Sequence, residues 1–345
     1  MIPDINIAAL FDGASADRDV IDRDILRAAC DVGFLSIHGL PDFASLNRSA
    51  RTSLLSLFSL PEAEQRKLWK SNFAPENPNL YRGWFPLESG EARSREGFEI
   101  GPDIVRELHE DGSEDLLYEP TVFPPEALVP GWRQAAAKYY EAMEQTGATL
   151  LASLSRGMGI DEAVFRNAFN DGISTLRLLR YPGRDWNVPI PDAVEPWMTQ
   201  WNEERVEVVC GAHVDSGLVT ILSQCDVPGL QVKPDKGEWL EVPALDDRFV
   251  VNFGGLLARW TGGRIRATRH RVLSSGGERF SIPFFCEPRA NTVISALPLE
   301  GIAPFAPFQY GDHLWATTTR FPENRGLGAL RRARAPYVDP FESSS

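Results

Sequence analysis

Cys210-Gly211-Ala212-His213-Val214-Asp215-Ser216-Gly217 and, 57 residues beyond its histidine, Thr268-Arg269-His270-Arg271-Val272 are the stretches that decide the fold and the chemistry. Both are bounded by β-forming residues and are expected to be extended. In an extended segment positions i and i+2 face the same way. The His213 imidazole and the Asp215 carboxylate then project side by side, and Val214 points away. Two histidines and one carboxylate form the facial set that leaves three positions of an octahedral iron open. Open positions are what oxygen activation demands, because dioxygen and a substrate-like ligand must both reach the metal. A His-x-Asp pair by itself also arises by chance as a core or surface pair, so its neighbours have to decide.

The deciding neighbour is Arg279-Phe280-Ser281, nine residues past His270. Here too an i, i+2 pair sets a guanidinium and a hydroxyl on one face, an arrangement suited to a single carboxylate. The run continues as Ile282-Pro283-Phe284-Phe285, apolar enough to lie inside a barrel. A buried Arg without a carboxylate partner is costly, so an inward Arg279 implies an anionic ligand. The alternative is an Arg exposed on an edge strand.

Outward from these segments, short β runs follow one another between turns at 175–181, 206–212, 219–224, 230–233, 239–242, 249–253, 269–272, 279–286 and 291–294. Many short strands at close spacing point to a sandwich or barrel. Before them the periodicity is helical, with helices expected over 20–32, 43–58, 62–70 and 132–158, the last ended by Gly157 and Gly159. Residues 72–101, rich in Pro, Gly and aromatics, are expected to be largely irregular, and 311–321 helical. The N-terminal residues add one short strand within 2–9.

Bulk properties remove other classes. The 345-residue chain carries a formal net charge of -13, and no basic stripe supports a nucleic-acid partner. No apolar run approaches membrane-span length, and the first residues lack a signal-peptide pattern. Cys30, Cys210, Cys225 and Cys286 have no CxxC spacing and read as reduced thiols. A cytoplasmic protein with a small-molecule substrate, and no membrane or nucleic-acid partner, is expected.

With these residues in place, the chain from Leu176 to Pro288 resembles the double-stranded β-helix core of the isopenicillin N synthase-like, 2-oxoglutarate and iron(II)-dependent dioxygenases. The matching elements run from Leu176-Arg177-Leu178-Leu179-Arg180-Tyr181-Pro182 through Ala212-His213-Val214-Asp215-Ser216-Gly217, Pro228-Gly229-Leu230-Gln231-Val232 and Val250-Val251-Asn252-Phe253-Gly254 to His270-Arg271-Val272 and Arg279-Phe280-Ser281. Arg82-Gly83-Trp84, Glu96-Gly97-Phe98-Glu99-Ile100-Gly101 and Tyr310-Gly311-Asp312-His313-Leu314 fit the family's flanking landmarks. The resemblance implies a mostly β fold, a jelly-roll or cupin-like double-stranded β-helix with helices. Within one catalytic domain over 1–345, it implies a mainly helical N-terminal cap (1–173), a β core (174–300) and a helical C-terminal region (301–345).

By the same resemblance, iron(II) is held by His213, Asp215 and His270. The co-substrate 2-oxoglutarate is held at its far carboxylate by Arg279, Ser281 and Tyr181, and dioxygen is consumed. Succinate and carbon dioxide then form as a small organic molecule is hydroxylated, desaturated or cyclised. Tyr81, Arg82, Trp84, Phe98 and Phe285 are the substrate-contact candidates. Leu179 departs from the family pattern, which often has Asn there. Asp215 counts against halogenation, since halogenating relatives lack the carboxylate ligand. The segment 183–207, with Trp186, Trp197 and Trp201, reads either as an active-site lid or as a surface insertion. His38, His109 and His313 read as structural. Two rivals stand: an iron oxidase of the same fold that uses no 2-oxoglutarate, and a catalytically silent metal- or ligand-binding protein.

Overall fold

Branched and aromatic residues fill the runs between turns from residue 175 onward, and in the computed structural model each run contains a strand. The structure describes residues 1–345 except 13–15, 88–94, 109–114, 186, 188–191, 193, 235–236, 275, 332–336 and 338–345. The strands are β1 (Asp4–Asn6), β2 (Phe34–His38), β3 (Gly83–Phe85), β4 (Glu96–Ile100), β5 (Thr175–Tyr181), β6 (Met198–Trp201), β7 (Glu204–His213), β8 (Val219–Ser223), β9 (Leu230–Lys233), β10 (Leu240–Glu241), β11 (Phe249–Phe253), β12 (Arg269–Ser274) and β13 (Arg279–Cys286). A separate short pair is β14 (Val293–Ile294) with β15 (Phe308–Gln309). The helices are α1 (Ala16–Asp31), α2 (Arg48–Leu55), α3 (Glu62–Arg66), α4 (Trp132–Met158), α5 (Ala163–Phe169), α6 (Gly255–Trp260) and α7 (Tyr310–Thr318).

Two sheets make the jelly-roll core. The larger has the order β1-β2-β11-β8-β13-β5-β4-β3 and the smaller β10-β9-β12-β7-β6. Period-two alternation assigns the faces. On β13, Arg279, Ser281, Pro283 and Phe285 line the central cavity, while Ile282 and Phe284 enter the main apolar cluster. Antiparallel to it, β5 turns Thr175, Arg177, Leu179 and Tyr181 to the cavity and Leu176 and Leu178 to the core. Helix α4 covers that core face through Tyr140, Met143 and Leu150, with Tyr140 edge-on to Phe284 at 5.0 Å. Gly147 allows the approach, since a Cβ there would lie 2.5 Å from Cys286 Sγ.

Helix α4 has the expected bounds and ends at Gly159, whose φ of 70° is the left-handed cap glycine favours. The expected helix over 43–58 is instead two 3-10 turns flanking α2. Asn47 starts α2 anew by accepting the Ala50 N–H at 3.0 Å. The segment 72–101 holds β3 and β4, which extend the larger sheet. Their signal was masked because β4 carries Glu96 and Glu99, which are buried only because Arg180, Lys70 and Arg177 neutralise them. The region 1–173 is therefore more than a helical cap: it supplies β1 to β4 of the larger sheet. All four cysteines are free. Among the described residues no helix is long and apolar enough to cross a membrane.

Candidate active site

Sheet register closes the 57-residue gap in the triad. Strands β7 and β12 pair antiparallel with His270 opposite His213, and a register shift follows His270, an irregularity of the kind that re-aims side chains. The two imidazole centroids lie 4.2 Å apart. Strand β7 stops at His213, so Asp215 sits in the loop beyond it and Val214 turns outward, 36% exposed. That loop is clamped by the start of α6: Gly255 N–H donates to the Asp215 carbonyl at 2.7 Å and Leu256 N–H to the Ser216 carbonyl at 3.2 Å. Gly254 has to be glycine, because a Cβ would lie 2.2 Å from the Gly217 oxygen and 3.0 Å from that of Asp215.

Side-chain hydrogen bonds finish the orientation. Asp215 Oδ2 accepts from Thr220 Oγ1 at 2.7 Å and from Asn252 Nδ2 at 2.7 Å. The other oxygen, Oδ1, faces His213 Nε2 at 3.5 Å and His270 Nε2 at 3.7 Å. His213 Nδ1 lies 2.8 Å from the Gly211 carbonyl and His270 Nδ1 3.3 Å from that of Thr268. A ring whose Nδ1–H donates to a carbonyl presents its Nε2 lone pair, the tautomer a metal ligand needs. The three ligand atoms lie within 4.8 Å of one another. Burial opposes ionisation of Asp215, yet His213 and His270 hold its carboxyl well below the usual range. Burial pushes the His270 imidazole down, toward the neutral form a metal binds. Burial also opposes charge on His213, but Asp215 and Cys210 push it up to about 11, so a metal binding at Nε2 would displace a proton from it.

Deeper in the same cavity Arg279 stands opposite Tyr181 in the β13–β5 register, and Ser281 opposite Leu179. The Arg279 carbon Cζ is 5.3 Å from the Tyr181 ring centroid. Arg279 is 1% exposed, and among the described residues its Nε, Nη1 and Nη2 all lack a hydrogen-bond partner. A desolvated guanidinium with no acceptor is a strongly unfavourable arrangement in isolation. It fits a pocket built for an anion, and the donor set of the triad fits iron(II).

The structure sorts the remaining expectations. Tyr81 and Phe285 line the cavity. Arg82, Trp84 and Phe98 do not: they are core residues, a correction to their reading as substrate contacts. Arg82 donates to Thr175 Oγ1 at 2.7 Å and to the Ile173 carbonyl at 3.3 Å. Trp84 donates to Glu96 and packs edge-on against Phe58 and Phe98. Other charged side chains that line the cavity are Arg95, Glu99, Arg177, Glu287 and Glu323, with Arg177 on β5 and Glu99 on β4 in the same sheet as Arg279. Burial opposes the Glu99 charge, but Arg177 and Lys70 bring its carboxyl to about 2, while burial pushes Glu287 up to about 7.

Trp201 belongs to a β6–β7 hairpin turned by Asn202 and Glu203 at positive φ, on the edge of the smaller sheet. Trp197 lies in the 3-10 turn before it, and Trp186 lies outside the described residues. None of the described residues of 183–207 lines the cavity. His38 pairs with Asp4 at 3.3 Å on β1, and His109 is outside the described residues. His313 is closer to the chemistry than its position on α7 suggested: its Nε2 is 3.2 Å from the Ser216 carbonyl, backing the loop that carries Asp215.

Comparison with known proteins gives a consistent set of likenesses. Residues 178–288 match the model of the 2OG-Fe(II) oxygenase superfamily. A 2-oxoglutarate-dependent dioxygenase of Trichoderma harzianum is 33% identical over 300 residues, covering 82% of this chain and 83% of that protein. Isopenicillin N synthase of Penicillium chrysogenum is 28% identical, covering 91% and 93%. Among solved structures, a full-length Neurospora crassa protein in complex with alpha-KG and 5-formyluracil superposes with a TM-score of 0.73 at 25% identity, covering 92% of this chain and 95% of that one.

Proposed function

Because the chain belongs to the 2OG-Fe(II) oxygenase superfamily, we propose that His213, Asp215 and His270 hold its iron and that Arg279, with Ser281 and Tyr181, holds the far carboxylate of 2-oxoglutarate. The observation that carries this reading is a pairing within one cavity: three converging ligand atoms at one place and a buried, unpartnered guanidinium at another. Iron bound there supplies the oxygen activation that converts 2-oxoglutarate to succinate and carbon dioxide and oxidises a small organic substrate.

The chain's own part is positional. The Gly211 and Thr268 carbonyls fix the two imidazoles, while Thr220 and Asn252 fix Asp215. Arg279 orients the co-substrate by a charge-assisted fork that lysine cannot reproduce. Leu179 and Leu222, also on the cavity wall, keep the co-substrate stem in an apolar surrounding. Hydroxylation, desaturation and ring closure are all outcomes such a site can direct, and one catalytic unit carries every residue named. Four free cysteines suit a reducing compartment such as the cytoplasm.

The likeness to isopenicillin N synthase, which spans 91% of the chain, favours one second reading, an iron oxidase that needs no oxoacid. Measuring succinate formed per dioxygen consumed separates the two. Equal amounts are expected here during substrate turnover, and substrate-dependent oxygen uptake without succinate would establish the oxidase.

A further inference from the structure

The charged part of the cavity lining around Arg177 is unusual in how its charges are matched. Glu99 is paired by Lys70 and by Arg177. Arg177 also reaches Glu323 at 3.2 Å and lies 5.6 and 5.3 Å from the ring centroids of Phe85 and Phe285. Glu287 accepts from Thr175 at 3.2 Å, and Thr175 accepts from Arg82. These contacts match Lys70, Arg82 and Arg177 with Glu99, Glu287 and Glu323. Arg95 is the cation left over.

Arg95 lines the cavity, 26% exposed at its side chain. Among the described residues its one ion-pair partner is Glu323, at 3.6 Å and beyond hydrogen-bonding distance. Glu323 is already committed to Arg177 at the shorter distance. The cluster thus holds four cations, Lys70 and Arg82 behind the lining and Arg95 and Arg177 on it, against three carboxylates in largely buried surroundings, where an unmatched charge is costly. The Arg95 side chain lines the same cavity as the triad and Phe285.

We propose that the main substrate is an organic acid whose anionic group is taken up by Arg95, leaving its carbon skeleton between Phe285 and the metal triad. This deepens the oxygenase reading and rests on it: Arg279 serves the co-substrate and Arg95 the substrate, so two anions bind at separate guanidinium groups of one cavity. Glu323, which stands beside Arg95, competes weakly for it until the acid arrives.

The test uses the full chain loaded with Mn(II) and saturated with 2-oxoglutarate, so that Arg279 is filled before any probe is added. Benzoate, phenylacetate, hydrocinnamate and cyclohexanecarboxylate are each titrated beside their carboxamides by calorimetry, on wild type, Arg95→Gln, Arg95→Lys and Glu323→Gln. Wild type is expected to bind at least one acid at millimolar concentration or tighter and about tenfold more tightly than its amide, the margin of a charge-assisted hydrogen bond. Arg95→Gln should erase that preference and Arg95→Lys keep part of it. Glu323→Gln, which retains an acceptor for Arg177, should tighten acid binding.

Wild type binding no acid, or an acid preference surviving in Arg95→Gln, overturns the assignment. So does a 2-oxoglutarate affinity that falls in Arg95→Gln, because Arg95 would then belong to the co-substrate. Failure of the oxygenase reading itself looks different: wild type would not bind 2-oxoglutarate at all.

Discussion

His270→Ala is expected to lower turnover by about a thousandfold or more, roughly 4 kcal/mol of lost transition-state stabilisation, while the fold stays intact. The substitution removes one of the two proposed nitrogen ligands and leaves little else unsatisfied. The His270 ring packs edge-on against Phe34 at 5.3 Å, and its one side-chain hydrogen bond among the described residues, with the Thr268 carbonyl, is 3.3 Å. Asp215→Ala should be as inactive but less stable, because Thr220 and Asn252 would each be left with a buried donor, at about 1–3 kcal/mol apiece. The measurement is iron bound per chain and turnover, with circular dichroism as the fold control. Turnover near the wild-type rate in folded His270→Ala would remove that residue from the site.

Arg279→Met should give the opposite stability result from most core substitutions. With no 2-oxoglutarate present, the variant is expected to melt higher than wild type, since replacing a buried, unmatched charge by an apolar side chain of similar length is stabilising by about 1–4 kcal/mol. Adding 2-oxoglutarate should reverse the order, because a ligand bound only by the native wild type stabilises it in proportion to its occupancy. The concentration of 2-oxoglutarate needed for half-saturation should rise about a hundredfold in Arg279→Met, for the loss of a two-pronged, charge-assisted contact. Arg279→Lys should recover part of it. Melting curves with and without the co-substrate test both signs. A variant that is destabilised without 2-oxoglutarate and still stabilised by it would make Arg279 structural.

Much of this site was legible because β periodicity is short. His213 with Asp215, and Arg279 with Ser281, are i, i+2 pairs, and the strands carrying them had strong apolar patterns. The register that sets His270 opposite His213 is a tertiary fact, and it agrees with the expectation that the two histidines share one ion. The charged part of the cavity lining was not legible. Glu99, Arg177, Glu287 and Glu323 come from β4, β5, the end of β13 and the 3-10 turn after α7, and each reads as an ordinary surface charge until the others neutralise it. Arg82, Trp84 and Phe98 misled for the converse reason. An aromatic and basic cluster resembles a binding wall, whereas here the Arg82 guanidinium is spent on Thr175 and on a main-chain carbonyl. Strand β4 was missed because its acids hide its alternation, and α2 was drawn too long because Asn47 caps a helix that the apolar pattern runs straight through.

The most direct test of the central claim is anomalous diffraction at the iron edge, from crystals grown without oxygen in iron(II) and 2-oxoglutarate. One peak is expected per chain, within bonding distance of His213 Nε2, Asp215 Oδ1 and His270 Nε2, with the free carboxylate of 2-oxoglutarate on the Arg279 guanidinium. An iron peak elsewhere, or 2-oxoglutarate bound away from Arg279, would contradict the account.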